Sequence, residues 1–259
     1  MNTNCNFNTG TLWHPTVQGL IGLGLEADAT ALRGTVQSTG RKFWFRRAVS
    51  SKTRKFNSKV RQRSLKCLMA FSAGLLQRDP DLHAHSERVA HLSLRLAHRL
   101  GLGARETQSL QFAALLHDCG KISLDPCILN KPGALSDDEF SLVKRHPQLG
   151  DEFLCCAPFL HDARPGVRYH HEYFDGSGYP EGLRGEEIPL AARIIGIADA
   201  FDAMTNDRPY RPRLDTEHAC DILRRRAGTQ FDPQLVEEFI ALPPEARHFD
   251  YCAPQHLSS

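Results

Sequence analysis

His170-His171-Glu172-Tyr173-Phe174-Asp175-Gly176-Ser177-Gly178-Tyr179-Pro180 sets two adjacent imidazoles and two carboxylates directly before a Gly-Ser-Gly-Tyr-Pro run. That run cannot continue a helix, because Gly weakens one and Pro removes a donor and clashes with the preceding turn. Metal-ligand side chains therefore lead straight into a tight loop. A segment that had only to pack has little reason for this composition. The stretch reads as half of a multinuclear metal site, and the other half is sought among the remaining acids and histidines.

Upstream, apolar residues at helical spacing mark a helix from near Ser64, with Leu65, Leu68, Met69, Phe71, Leu75 and Leu76, ended by Asp79-Pro80. A second helix runs from about Pro80 to Leu100, with Val89, Leu92, Leu96 and Leu100 inward. Asp81 and His85 stand four apart at its start and share a face, which suits two ligands of one metal. His91 and His98 fall on another face and read as packing or surface residues. A third helix covers roughly Ala104 to Asp118 and ends in His117-Asp118-Cys119-Gly120-Lys121. An imidazole and a carboxylate at the end of an apolar helix need compensation, from each other or from a shared metal. Gly120 permits a sharp exit, and Lys121 returns a positive charge to the same place.

Ser136 is an N-cap with Glu139 closing a capping box, and the helix it opens is expected to reach His146-Pro147. A short helix is expected over Gly150–Leu160, and a strongly apolar one over Ile188–Thr205. Asp199 lies inside the latter, where a carboxylate is costly unless paired or on a metal. Asp202 follows three residues later, and Arg208 and Arg211 stand in a Pro-rich turn that can meet phosphate oxygens. Two amphipathic helices, Glu217–Ala227 and Pro233–Leu242, close the pattern, the second entered through Asp232-Pro233. No strand pairing and no repeat is read.

The chain has 259 residues, 41% hydrophobic and 24% charged, as for an ordinary globular protein of one large domain. No apolar run reaches the length of a bilayer span, and the N-terminus lacks a secretory signal, so a cytoplasmic location is expected. The eight cysteines have neither zinc-ribbon nor disulfide-scaffold spacing and read as reduced. Residues 1–63 hold eleven Lys/Arg against two acids, a net of +9; with +2 for the whole chain, the remainder carries −7. This is a poorly ordered basic extension on an acidic domain. Its ten basic residues from Arg41 to Arg63, interleaved with Phe43, Trp44, Phe45 and Phe56, read as a solvated linker or as a patch for a polyanion.

The assembled metal ligands are Asp81, His85, His117, Asp118, His146, His170, His171 and Asp199. Nitrogen and oxygen donors without cysteine suit iron or manganese, with zinc and cobalt as alternatives. Eight ligands are too many for one ion. Two metals about 3.5–4 Å apart, bridged by Asp118, are the natural arrangement for phosphoester hydrolysis. Lys121, Arg208 and Arg211 are placed to neutralise developing charge.

At this point the residues resemble the HD-GYP domains, a branch of the HD phosphohydrolase superfamily. The similarity runs through His117-Asp118-x-Gly120-Lys121, Asn130-Lys131-Pro132-Gly133, His146-Pro147-x-x-Gly150, the opening stretch, Asp199-x-x-Asp202-x-x-Thr205, Asp207-Arg208-Pro209-Tyr210-Arg211 and Gly228-Thr229-x-Phe231-Asp232-Pro233. It spans about Ser64 to Leu242. The resemblance implies an all-α helical bundle of the HD superfamily with an HD-GYP extension, here a catalytic domain over 64–245 followed by a tail over 246–259. It implies a cyclic diguanylate (c-di-GMP) phosphodiesterase yielding pGpG, GMP or both, with two or three divalent ions, iron or manganese. Asp118 and Lys121 take catalytic positions. Lys121, Arg208, Arg211 and the loop residues Gly178, Tyr179 and Pro180 take substrate-binding positions. Implied partners are c-di-GMP as substrate and a diguanylate cyclase at the Gly-Tyr-Pro loop; a second copy in a homodimer and, from the charge of the basic extension, an anionic membrane are further expected partners, with nucleic acid not expected. This chain has Asp81 where trinuclear members have Glu, and Cys119 where an aliphatic residue is usual. Two other readings stay open: a non-catalytic adaptor binding c-di-GMP or a cyclase, and a phosphohydrolase for another cyclic nucleotide.

Overall fold

Nine α-helices and no strand lie among the described residues of the computed structural model, which are 80–207 and 212–247. The extension 1–63, the helix expected from Ser64, Arg208, Arg211 and residues 248–259 lie outside the described residues. Every described residue belongs to one unit, Arg47–Tyr251.

Helix α1 (Pro80–Arg99) carries Asp81 in its first turn and His98 and Arg99 in its last, the charge order that its dipole favours. Helix α2 is Ala104–Leu116. Asp118 follows in the bridge conformation, φ −96° and ψ 5°, and opens a 3-10 turn over Cys119–Ser123. Next come α3 (Pro126–Leu129) and α4 (Asp137–Val143), whose Ser136–Glu139 capping box forms as expected. Helix α4 does not run on to His146. A continuous helix would drive the Pro147 ring into the Val143 carbonyl, so the chain turns and α5 (His146–Leu154) begins with Pro147 in its first turn. The same physics corrects the helix expected over Gly150–Leu160. Pro158 would clash with the Leu154 carbonyl, so α5 stops at Leu154 and only a 3-10 turn, Pro158–Leu160, follows.

Helix α6 (Arg164–Tyr169) has no counterpart in the sequence reading; it is six residues long, too short for a period to show. After it the Gly-rich loop runs without α-helix to α7 (Leu190–Thr205), and the chain closes with α8 (Thr216–Arg226) and α9 (Pro233–Ile240). Asp232 caps α9, accepting from Gln234 N and Leu235 N at 2.9 and 3.3 Å.

Helix α7 is the axis of the bundle. It packs on α1, α2, α6, α8 and α9, which is why it is apolar nearly all round: Ala192, Ile194, Ile195, Ile197, Ala198, Phe201 and Met204 are all buried. These join Leu92 and Leu96 of α1, Leu110 and Leu116 of α2, and Phe239 of α9 in one hydrophobic core. An Asp placed on such a helix has few water-filled directions in which to point. No described helix is long and apolar enough to cross a membrane.

Two close backbone approaches set the site's framework. At Gly120 an added Cβ would run into the His146 carbonyl oxygen and lie 2.6 Å from Gly150 N. Only a glycine lets the exit of α2 touch α5, and so brings His117-Asp118 beside His146. At Gly178 a Cβ would run into Tyr173 N and lie 2.6 Å from Glu172 Cα. The loop therefore folds back on the strand of chain that carries the two histidines, with Tyr179 N donating to the His171 carbonyl at 3.1 Å.

Candidate metal centre

Three imidazoles use one device. His117 follows α2, His146 follows the end of α4 and His170 follows α6, and each Nδ1 lies 2.7 Å from the carbonyl three residues back: Ala114, Val143 and Val167. A carbonyl can only accept, so each Nδ1 carries the proton and each Nε2 presents a lone pair to the interior. The lone pairs converge. His146 Nε2 and His170 Nε2 are 3.3 Å apart, His146 Nε2 is 3.2 Å from Asp118 Oδ1, and His117 Nε2 is buried with no hydrogen-bond partner. Acceptors facing acceptors in a buried site are unfavourable unless a cation lies between them. The residues therefore fit a metal ion.

His171 completes the first set: with His146 and His170 it offers ligand atoms within 4.8 Å of one another. His85, Asp199 and His117 form a second such set, and His117, Asp118 and His170 a third between them. Asp118 faces both sides. Its Oδ1 turns to His146, while Oδ2 lies 3.5 Å from His117 Nε2, 3.8 Å from His85 Nε2 and 2.6 Å from Lys121 Nζ. That is the disposition of a carboxylate with one oxygen for each of two ions.

Electrostatics follow from burial and charge. Burial pushes His170 well below the usual imidazole range and His171 down to about 4. Burial also lowers His117. These three are neutral and ready to ligate. Burial opposes charge on His85 as well, but Asp199 and Asp202 outweigh it and hold that imidazole up at about 9. Burial would raise Asp118, yet the Lys121 ammonium beside it keeps it well below the ordinary carboxylate range. Asp199 is likewise held down, by His85.

The structure thus brings together seven of the eight expected ligands, from α1, the α2 exit, the start of α5, the α6 exit and α7. Asp81 is the exception: it is exposed in the first turn of α1 and joins none of the three sets. Four residues of helix put it on His85's side but one turn nearer the end, and its short side chain stays in solvent. Lys121 stands at the centre's edge, pinned by Asp118 and partly exposed.

The opening loop divides its labour. Glu172 is buried and accepts from three backbone N–H groups, those of Glu181, Gly182 and Leu183, at 2.7, 3.1 and 3.1 Å. Asp175 accepts from Ser177 N and Oγ at 2.8 and 2.7 Å. These acids hold the loop. Tyr179 lays its ring against His171, centroids 4.9 Å apart, with the Tyr179–Pro180 bond cis. Beside them lies a cavity of about 210 Å³ lined by His171, Tyr179, Asp199, Phe140, Arg193 and Gln230.

Two functional groups escaped the sequence reading of roles. Asp202 is 2% exposed. It accepts from His85 Nδ1 at 2.7 Å and from Arg88 Nε and Nη2 at 2.6 and 3.1 Å, and so fixes which nitrogen of His85 faces the centre. Its spacing from Asp199 was visible, but its partner His85 is 117 residues away. Arg193 donates to Asp232 at 2.6 Å and walls the cavity; a single Arg on an apolar helix carries no signal of that.

Residues 71–235 match the family model described as HD domain. Over 185 residues the chain is 38% identical to the cyclic di-GMP phosphodiesterase response regulator RpfG of Xanthomonas campestris, covering 71% of this chain and 49% of that protein. Over 192 residues it is 35% identical to 3'3'-cGAMP-specific phosphodiesterase 2 of Vibrio cholerae, covering 71% and 37%. Among solved structures, Bd1817, an HDG"Y"P protein from Bdellovibrio bacteriovorus, superposes with a TM-score of 0.53 at 26% identity, covering 62% of this chain and 52% of that one. The chain spans about half the length, or less, of the two curated relatives.

Proposed function

Because this chain belongs to the HD-domain family, and within it to the HD-GYP proteins, we propose that it is a metal-dependent phosphodiesterase that hydrolyses c-di-GMP to pGpG, GMP or both. The observation that carries the reading is the convergence of unprotonated Nε2 atoms on Asp118, whose two oxygens face two ligand sets. His146, His170 and His171 would hold one ion, and His85, His117 and Asp199 a second, with Asp118 offering an oxygen to each. Iron or manganese suits this donor set. With Asp81 in solvent, two ions rather than three is the stoichiometry that the donors support. When bound, such ions supply a water nucleophile of lowered pKa and polarise the phosphodiester.

The chain's own groups do the rest. Lys121 presents a fixed positive charge that meets a phosphate oxygen, and Asp118 keeps its ammonium aimed at the centre. Arg208 and Arg211, outside the described residues, are proposed from the sequence as further phosphate contacts. Tyr179 and Phe140 offer aromatic faces on which a nucleobase stacks, and Arg193 and Gln230 offer polar groups at the cavity beside them. Glu172 holds the loop, so Tyr179 stays at the rim with its ring against His171.

A relative named for 3'3'-cGAMP makes the second cyclic dinucleotide the alternative substrate. A diguanylate cyclase at Gly178–Pro180, a homodimer, membrane contact through residues 1–63 and a cytoplasmic setting are further proposals that turnover does not need. Protein purified without oxygen and loaded separately with iron, manganese, cobalt or zinc is expected to open c-di-GMP, with the product identified by chromatography. Absence of turnover with all four metals overturns the enzyme. Turnover of 3'3'-cGAMP alone replaces the substrate. A variant Asp118→Ala that loses hydrolysis yet keeps c-di-GMP signalling supports the adaptor instead.

A further inference from the structure

Away from the histidine cluster, Cys155 and Cys156 end α5 as an adjacent, exposed pair with their sulfurs 3.8 Å apart. We propose that the two thiols are a chelating site for a soft, thiophilic ion, either a d10 divalent cation or a trivalent arsenical. Two thiolates on one tetrahedral ion, each at about 2.3 Å, lie about 3.8 Å apart, which is the separation already present. Little side-chain movement is needed to close the chelate.

The alternative chemistry, a bond between the two sulfurs, fits poorly. Consecutive Cα atoms across a trans peptide are about 3.8 Å apart, below the roughly 4.4–6.8 Å that disulfides span. Cys155 is also held in helical backbone, φ −60° and ψ −28°, with its N–H on the Glu152 carbonyl, and the Ala157 N–H closes on Leu154. The backbone is satisfied without the thiols, so both are spare. Of the other cysteines described, Cys119 and Cys220 are buried and Cys127 is exposed without a second thiol recorded beside it.

The surroundings do not compete for such an ion. Asp151, four residues before Cys155, is committed to Arg164 and Arg168 at 2.6 and 3.2 Å. The neighbouring Cys156 sulfur pushes the Cys155 thiol up, so that thiol gives up its proton as the chelate forms. With a divalent cation two S–H bonds break, two metal–sulfur bonds form and two protons leave. With phenylarsine oxide two S–H bonds and the As=O bond break, two As–S bonds form, and the oxygen departs as water; arsenic stays trivalent. Softness separates this site from the centre: paired sulfurs select ions that the nitrogen and oxygen donors of the His/Asp cluster hold less well.

The test uses the full chain, reduced, with Cys155→Ser, Cys156→Ser and, as control, Cys127→Ser. Cadmium is titrated while the thiolate-to-metal charge-transfer absorbance is followed, a signal that His and Asp ligands do not give. Phenylarsine oxide is added separately and the intact mass read. The wild type and the Cys127 variant are expected to show the cadmium band, the arsenical adduct, or both; either Ser substitution in the pair is expected to remove them. Cadmium alone assigns the divalent class, and the arsenical alone the trivalent class. No signal in the wild type, or a signal retained in both pair variants, overturns the proposal. Both side chains are exposed, so an unchanged thermal melt is expected and shows that loss of signal is not loss of fold.

Discussion

Replacing Asp202 with Asn tests whether His85 is aimed by its partner or merely packed beside it. The carboxylate is buried and serves four donors: His85 Nδ1, Arg88 Nε, Arg88 Nη2 and Asn206 Nδ2, at 2.7, 2.6, 3.1 and 2.9 Å. Asparagine keeps the shape but offers one acceptor oxygen. If that oxygen stays with Arg88 and Asn206, the amide N–H₂ faces His85 Nδ1 and drives its proton to Nε2, where it blocks ligation. If the oxygen turns to His85, the amide meets Arg88 donor to donor. Either way Arg88 loses its counter-charge. Breaking a buried pair costs about 3–5 kcal/mol, and the lower end applies here because Arg88 keeps 19% of its side-chain exposure. Loss of a group that orients a ligand weakens metal binding by about 10–100-fold. Denaturant titration of the metal-free protein and metal competition against a chelating dye measure the two effects separately. Lower stability with unchanged metal affinity would refute the orienting role and leave Asp202 a structural partner of Arg88. Unchanged values for both would refute the whole geometry around His85.

Gly120→Ala must force α5 away from the α2 exit, because its Cβ meets His146 and Gly150 backbone; a loss of more than about 3 kcal/mol is expected in urea denaturation, together with metal content. Gly150→Ala meets the Val167 Cγ1 and Cys119 Sγ side-chain atoms at 3.0 and 3.2 Å and Gly120 N at 3.4 Å, an ordinary contact distance, and is expected to cost about 1 kcal/mol; equal effects of the two would count against the close approach. Glu172→Gln weakens three charge-assisted bonds to Glu181, Gly182 and Leu183, so hydrogen exchange at those amides should quicken about tenfold or more while metal content holds. Exchange at the wild-type rate would show that the loop is held by something else. Glu87 is buried, and that burial raises its pKa to about 7 from 4.5. The folded state then binds more protons than the unfolded between those values, so stability is greatest below about pH 4.5, falls as pH rises to about 7 and stays lower above. Metal-free Glu87→Gln should lack that fall and be the more stable by about 2 kcal/mol at pH 8, after allowance for solvent screening; a parallel pH profile for the two proteins would refute the assignment.

Local signals made much of the bundle legible. Helices α1, α2 and α7 are long and carry sustained apolar stripes, and the Ser136–Glu139 box and Asp232-Pro233 entry mark helix starts chemically. The boundaries that went astray lie at Pro147 and Pro158, where the ring's clash with the carbonyl four residues back decides where a helix ends. Helix α6 spans too few residues to show a period, yet its exit positions His170. Arg88 and Arg193 carry no local signal of their roles, because their partners Asp202 and Asp232 are distant in the chain.

By itself the sequence determined the donor inventory of this protein: clustered histidines and acids with no cysteine among them, a loop that glycine and proline keep non-helical, and a strongly apolar helix with an embedded Asp199. Residue type and short-range spacing suffice for that, since ligand chemistry and backbone preference are local properties. Only the tertiary structure decided which donors meet. It brought six of them around Asp118 and left Asp81 in solvent. It gave His85 its partner, Asp202, from α7, 117 residues away. The reason is that α7 packs against α1, α2 and α6 at once while Gly120 lets α5 close on the α2 exit. Contacts of that kind depend on side-chain volume and backbone approach between segments remote in sequence, and no window along the chain contains both sides.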